Sequence, residues 1–270
     1  MATTRPSSIP DPALRPTPQR SLWGNFSFML MWISVAASGF GDRLVQIAFT
    51  EMLGFRGEGV DAASVQAGVL FFFFLPYLIF GPLGGWLADT LPRKWIMLGC
   101  DHGRGLLLLI AALMLVPLAA NGGLPAGQQW QLYGLMSMVG ACAAVFAPTR
   151  NATVPQIVPR EHLQSANAII LGITTIAALV GVIAGGQIIE RGTVADGLLV
   201  GMLLFLISGT FFAFLRVRPM KVYDARPRPG QWQRIVQGMR YIRRHRRVAW
   251  LVFVYMLFWA AASMPMPVAP

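Results

Sequence analysis

The chain has 270 residues, of which 55% are hydrophobic and only 12% are charged, and its mean hydropathy is +0.57. So few charged side chains cannot cover the surface of a soluble domain this apolar. A soluble enzyme, a secreted disulfide scaffold and a disordered chain are therefore excluded as descriptions of the whole molecule, and the composition predicts an all-α integral membrane protein.

Apolar runs long enough to cross a bilayer follow one another along the chain. A membrane helix needs about 20 apolar residues, and roughly seven such runs are separated by charged residues, Gly or Pro. The predicted spans are 25–55, 64–88, 95–118, 130–147, 166–189, 197–215 and a seventh that begins at Val248. The first is long for a single crossing, and Gly41-Asp42-Arg43 predicts an interruption within it.

The basic residues predict the orientation of these spans, because Lys and Arg are retained in cytoplasmic loops. One set of loops carries Arg5, Arg15, Arg20, Arg93, Lys94, Arg150, Arg160 and the basic segment 216–247, whereas the other carries Arg56 and Arg191. We therefore expect a cytoplasmic N-terminus, with residues 1–21 forming a disordered cytoplasmic tail. This placement accounts for most of the net charge of +11 without nucleic acid as a partner.

Charged residues inside predicted spans are costly, so each is a candidate functional residue. Asp101 and Arg104 lie three residues apart on the third predicted helix, a spacing that favours a structural ion pair. Asp42 has two interpretations. It belongs to a stripe of polar residues that recur every fourth position and suit a water-filled cavity, or it pairs with Arg43 near a helix break. The stripe consists of Ser34, Ser38, Asp42, Gln46 and Thr50.

Glycines indicate where helices approach each other closely. Gly81 and Gly85 in the second span and Gly181 and Gly185 in the fifth have the small-xxx-small spacing, and Gly186 extends the second of these clusters. We expect Gly181, Gly185 and Gly186 to be helix-packing positions.

The sequence lacks the common catalytic and metal-binding motifs. It contains no GxxxxGK, GxSxG or HExxH pattern, its three His residues are scattered, and Cys100 and Cys142 have no ligand-like spacing. We expect no enzymatic activity, no metal site and no cofactor.

The loop between the second and third predicted spans carries a recognisable signature. Residues 85–94 read GWLADTLPRK and resemble the G-x-L-A-D-R-x-G-R-K signature of the major facilitator superfamily, with Thr90 and Pro92 at the two positions that differ. Residues 181–186 are similar to the antiporter signature G-P-x-x-G-G, with Val182 in place of Pro.

Three further segments narrow the resemblance. Residues 146–150, 154–159 and 163–168 are similar to the exporter branch that includes macrolide and siderophore efflux proteins. Gly41-Asp42-Arg43 is similar to that branch and to the related lysophospholipid transporters.

The resemblance implies a six-helix N-terminal half at 22–215, a basic cytoplasmic linker at 216–247 and part of a seventh helix at 248–270. Transporters of this kind have two such halves with the substrate between them, so a missing or separate second half is an expected partner. Gly85, Asp89, Arg93 and Lys94 would form a cytoplasmic gating loop. The expected location is the bacterial inner membrane.

The implied function is secondary active export of an amphipathic drug, a siderophore or a similar metabolite by alternating access. Asp42 would bind a proton or a cationic substrate, and Gln46, Asp101 and Arg104 would line the cavity. Two alternatives remain: a lysophospholipid transporter, and a truncated non-transporting protein or partner-binding half, suggested by the end at Pro270.

Overall fold

The computed structural model describes residues 22–53, 62–119, 129–217 and 231–262. The predicted tail at 1–21 and much of the segment between the sixth and seventh spans lie outside these residues. The nine α-helices of the described residues are α1 Phe26–Met52, α2 Ala62–Phe74, α3 Tyr77–Thr90, α4 Arg93–Ala119, α5 Gln129–Ile157, α6 Leu163–Arg191, α7 Val194–Ala213, α8 Gln231–Arg244 and α9 Arg246–Ala262.

In the part of the chain that the structure describes, six stretches of helix are long and apolar enough to cross a membrane, which confirms the prediction of an all-α membrane protein. They correspond to α1, to α2 and α3 together, and to α4, α5, α6 and α7. Large apolar side chains such as Leu78, Leu113 and Leu171 face outward, each about seven-tenths exposed or more. This outer surface suits contact with lipid.

The predicted interruption of the first span is wrong, because α1 runs unbroken through Gly41-Asp42-Arg43. In a bilayer a break would leave backbone groups without hydrogen-bond partners, and one Gly costs much less than that. The break occurs instead in the second span, between Phe74 and Tyr77, where Pro76 has no backbone N–H to donate.

The fourth span is longer than the sequence predicted. Prediction ended it at Ala147, just before Pro148, yet α5 continues past Pro148 and Pro155 to Ile157. Membrane helices tolerate proline when neighbouring groups accommodate the freed backbone. Pro148 and Pro155 leave the carbonyl groups of Ala144 and Asn151 without their helical N–H partners. The hydroxyl groups of Thr149 and Thr153 bond to other oxygens of the same helix, those of Val145 and Thr149.

The helices pack in a chain of neighbours rather than around one central helix. α7 packs against α1 and α4, α1 also packs against α6, and α4 also packs against α5, which in turn contacts α2 and α3. Among the described residues, the main contact of α9 is with α8. The predicted start of a seventh span at Val248 falls near the beginning of α9, and residues 263–270 lie outside the described residues.

Two apolar clusters fill the bundle, one toward each end. The first includes Phe49 of α1, Leu108 of α4 and Phe205 of α7, and the second includes Phe28, Met97 and Phe212 of the same three helices. Between them along each helix lie the buried polar residues Ser34, Ser38, Asp101, Arg104 and Ser208. The bundle therefore has a polar layer between two apolar layers.

Hydrogen bonds join several helix ends at one end of the bundle. Asn25, which caps α1, donates from Nδ2 to the Ile157 oxygen at 2.6 Å, and Ser27 Oγ donates to the Arg216 oxygen at 3.2 Å. These contacts bring the start of α1 next to the ends of α5 and α7. This is the end that the basic residues predict to be cytoplasmic.

Candidate functional site

A charged cluster lies in the polar layer and connects α1 with α4. Arg104 Nη1 donates to Asp42 Oδ1 at 2.8 Å, and Arg104 Nη2 forms an ion pair with Asp101 Oδ1. Arg104 and Asp101 are both fully buried. One guanidinium group is therefore shared between two carboxylates on different helices.

Serine hydroxyls from two helices complete the surroundings of Asp101. Ser38 Oγ accepts from Arg104 Nη2 at 2.9 Å and lies 3.4 Å from Asp101 Oδ1. Ser208 Oγ on α7 lies 2.5 Å from Asp101 Oδ2 and 2.8 Å from the Ser34 backbone oxygen. Asp101 is thus held by groups from α1, α4 and α7, which fixes its position among three helices.

Two aromatic rings cover the guanidinium group of Arg104. Its Cζ lies 4.4 Å from the ring centroid of Phe205 on α7 and 4.9 Å from that of Phe146 on α5, both within cation–π distance. A Cβ added at Gly41 would lie 3.2 Å from Phe205 Cζ. Gly41 therefore leaves room for the ring that covers Arg104, and Asp42 beside it supplies the ion pair.

The members of this cluster differ in accessibility. The side chain of Asp42 is 25% exposed, against 1% for Arg104 and 0% for Asp101. Arg150 of α5 also lies within electrostatic range of Asp42 and Arg104, so two cationic side chains accompany the two carboxylates. A solute that reaches the cluster would meet Asp42 before Asp101 or Arg104, because those two are buried.

The predicted pair of Asp101 and Arg104 is present, whereas the predicted pair of Asp42 and Arg43 is wrong. Arg43 Nη1 donates to Gln46 Oε1 at 2.8 Å, and Asp42 pairs with Arg104. Adjacent residues on a helix point in different directions, which separates Asp42 from its neighbour. Gln46 bonds to Arg43 rather than to the charged cluster.

The polar stripe of α1 passes from buried to partly exposed positions. Ser34 and Ser38 are buried, and Asp42, Gln46 and Thr50 are partly exposed. Thr50 Oγ1 donates to the Gln46 backbone oxygen at 2.7 Å. The water-filled cavity that the stripe suggested remains a prediction.

The predicted gating loop is a tight turn between α3 and α4. Arg93 Nε donates to the Ala88 oxygen at 2.9 Å, its Nη1 donates to the Ala152 oxygen of α5, and its Nη2 lies 4.0 Å from Asp89 Oδ1. Lys94 Nζ lies 4.8 Å from the centroid of the neighbouring Trp95 ring. Arg93 therefore connects this turn to α5, and the gating role remains a proposal.

Gly85, the first residue of the predicted gating loop, lies in an open position. Apart from the nearby backbone of its own helix, no described atom lies within 4 Å of a Cβ added there.

Two of the three predicted packing glycines in α6 contact α1 closely. A Cβ added at Gly181 would lie 2.8 Å from Arg43 Cβ, and one added at Gly185 would lie 2.9 Å from Ile47 Cδ1. For Gly186 the packing prediction is wrong within the described residues, since nothing there lies within 4 Å of an added Cβ. Gly186 follows Gly185 directly, so it points away from the face that meets α1.

In α3 the sequence reasoning chose the wrong glycines. A Cβ added at Gly84 would lie 2.8 Å from Val145 Cα, which makes Gly84 the position of close approach to α5. A Cβ added at Gly81 or Gly85 would have no described atom within 4 Å apart from the nearby backbone of its own helix. The small-xxx-small spacing alone did not identify the face of α3 that packs.

Sequence reasoning also missed Ser208, Phe205 and Phe146 in the charged cluster. Ser208 carried a usable signal, because a hydroxyl in a strongly apolar span needs a partner. The two phenylalanines carried none. Among the described residues, no group of three or more His, Cys, Asp or Glu side chains could hold a metal ion.

Known proteins related to the chain are membrane transporters. YvqJ of Bacillus subtilis, described as an uncharacterized MFS-type transporter, is 25% identical over 250 residues, 91% of this chain and 56% of YvqJ. YfiS of the same organism, described likewise, is 26% identical over 188 residues, 69% of this chain and 42% of YfiS. Macrolide efflux protein A of Streptococcus pyogenes is 30% identical over 136 residues, 50% of this chain and 31% of that protein.

The chain thus spans about half the length of the curated relatives that it matches, or less. No solved structure matches it significantly. The sequence model of the Major Facilitator Superfamily matches residues 31–270, nearly the whole chain. The chain therefore belongs to the Major Facilitator Superfamily.

Proposed function

We propose that the chain forms the N-terminal half of a secondary active exporter, which moves an amphipathic drug-like, siderophore-like or metabolite substrate out of the cell by alternating access. The observation that carries this proposal is the shared guanidinium of Arg104, which bonds to buried Asp101 and partly exposed Asp42. Charges in the middle of a membrane bundle are costly, and they commonly mark a path for ions or substrate.

Asp42 is the proposed coupling residue. When Asp42 binds a proton or a cationic part of the substrate, Arg104 loses one of its two carboxylate partners and keeps Asp101. The contact between α1 and α4 weakens at that point, because the ion pair that joins the two helices is lost. A local change in charge can then bias a rearrangement between two packed states.

A second six-helix half completes the proposed transporter. In transporters built from two repeats, the substrate binds near the midplane between the halves. The second half, on the same reading frame or on a separate chain, is therefore the proposed partner. The proposed location is the bacterial inner membrane with the N-terminus in the cytoplasm, where the loop of Asp89 and Arg93 would gate access.

The proposed substrate class is supported by one of the relatives. One relative is named a macrolide efflux protein. This name favours an amphipathic drug-like substrate over a lysophospholipid. The partly exposed carboxylate of Asp42 favours substrates with a cationic group.

The proposal is tested by efflux from cells that lack their own multidrug exporters and express the complete reading frame. We expect faster loss of preloaded erythromycin or ethidium than from vector-only cells, and loss of that difference when an uncoupler collapses the proton gradient. A fluorescent lysophosphatidylethanolamine serves as the second probe. Faster movement of the lipid alone would contradict the substrate class, and no faster movement of any probe would contradict export.

A further inference from the structure

The segment before α9 contains a short helix with one mainly apolar face and one polar face. In α8, positions 232, 235, 236, 239 and 242 carry Trp, Ile, Val, Met and Ile, a spacing of three and four that places them on one side of the helix. Gln233, Gln237 and Arg244 occupy the opposite side, Arg240 lies at the edge between the two sides, and Arg243 lies on the apolar side in the last turn. The helix has 14 residues and is too short and too polar to cross a bilayer.

Of the apolar side chains of α8 that the structure describes, Val236 is exposed and Ile242 is partly buried. Val236 is 50% exposed, and the main contact of α8 within the described residues is with α9. Tyr241, on the polar side of α8, is 56% exposed and stacks on His245 with 4.1 Å between ring centroids. A surface helix of this kind needs an apolar environment on one side and a polar one on the other.

The charge around α8 has one sign. No Asp or Glu follows Asp224 in the sequence, whereas Arg234, Arg240, Arg243, Arg244, Arg246 and Arg247 lie in or directly after the helix. Of these, the described side chains at 240, 243, 244, 246 and 247 are all exposed. A surface this basic, with no acidic residue nearby in sequence, is complementary to phosphate groups.

The connection to α9 places α8 at the level of the lipid headgroups. A single residue, His245, separates the two helices, and α9 is apolar from Val248 onward. Trp250 is 57% exposed one turn into α9, a position typical of the interface between headgroups and hydrocarbon. The end of α8 therefore cannot lie far from the membrane surface.

We propose that α8 docks on the anionic phospholipid headgroups of the bilayer, with its apolar face in the interface and its arginines on the lipid phosphates. This inference is independent of the transported substrate. It assigns the basic segment to a lipid surface, which anchors the start of α9 and limits how far the segment can move.

The experiment uses the full chain in lipid vesicles, with both native cysteines replaced by alanine and an environment-sensitive fluorophore on a new cysteine. Val236→Cys reports the apolar face, and Gln237→Cys is the matched control on the polar face. Vesicles of phosphatidylcholine alone are compared with vesicles containing about one third phosphatidylglycerol, each doped with nitroxide-labelled lipid.

We expect nitroxide quenching at position 236 to exceed that at position 237 several-fold, and to rise with phosphatidylglycerol. Replacing Arg240, Arg243 and Arg244 by Gln should shift the docked-to-undocked ratio by about fivefold per arginine. Equal quenching at the two positions, or quenching at 236 that ignores phosphatidylglycerol and salt, would overturn the inference. A label at 236 that is shielded from lipid in both vesicles would indicate that protein covers this face instead.

Discussion

Arg104 contacts more of the surrounding helices than the other charged residues in the interior of the bundle, and we expect the stability of the bundle to depend on it. Its guanidinium is fully buried, bonds to two carboxylates and one serine, and lies between two aromatic rings. Burying such a charge costs several kcal/mol, and only close partners offset that cost. Removal of Arg104 therefore leaves Asp101 buried without its countercharge.

Arg104→Met should destabilise the protein by about 3–5 kcal/mol, because it leaves an uncompensated buried carboxylate. Thermal unfolding in detergent measures the change. Arg191→Met is the control, since Arg191 is exposed at the end of α6 and its loss should have little effect. Adding Asp101→Asn to Arg104→Met should restore part of the stability. Equal unfolding temperatures for the two single variants would contradict this role of Arg104.

Part of the site could be predicted from the sequence, and part depended on how the helices pack. Asp101 and Arg104 lie on one helix, so their spacing alone predicted the pair. The bond from Arg104 to Asp42 joins α1 to α4, and it depends on the rotation of each helix about its axis. Ser208 and Phe205 approach Arg104 and Asp101 only because α7 packs between α1 and α4.

At the scale of the helices, α1 and α6 approach closely through glycine. Gly181 faces the backbone and Cβ of α1 at Phe40 and Arg43, and Gly185 faces Leu44 and Ile47. Lipid tails are as apolar as the side chains, so the hydrophobic effect does not drive helices together within the bilayer. Close packing is therefore a main source of helix association there. A larger side chain at these two positions must push the helices apart.

Gly181→Leu should destabilise the bundle by about 1–3 kcal/mol, the usual cost of overpacking. Gly186→Leu, only five residues along the same helix, should have an effect below about 0.5 kcal/mol, as expected for an open surface position. Unfolding of each purified variant in detergent compares the two. A loss of stability at Gly186 as large as at Gly181 would show that the assigned packing face is wrong.

The helices themselves were largely predictable, because apolar length is a strong signal in membrane proteins. Their irregularities were not. Leu75-Pro76 lies in a uniformly apolar run. A count of apolar residues therefore cannot detect the helix break between α2 and α3. The sequence predicts that the fourth span ends just before Pro148, yet α5 continues through this residue. Whether a proline breaks a membrane helix depends on its neighbours in space.

At the scale of the whole molecule, the bundle has a polar layer between two apolar clusters. A layer of this kind near the middle of a membrane bundle is expensive for a purely structural protein and suits a transporter. Asp42 is the partly exposed carboxylate of the charged cluster in this layer. We therefore expect Asp42 to couple substrate movement to the movement of a proton.

The most direct measurement is substrate-driven proton movement in vesicles that contain the product of the complete reading frame. Asp42→Asn is compared with Glu190→Gln, which removes an exposed carboxylate at the end of α6 and serves as the matched control. We expect Asp42→Asn to reduce coupled transport by about tenfold or more, with normal folding, while Glu190→Gln transports like the unmodified protein. Full coupled transport by a folded Asp42→Asn variant would contradict the account.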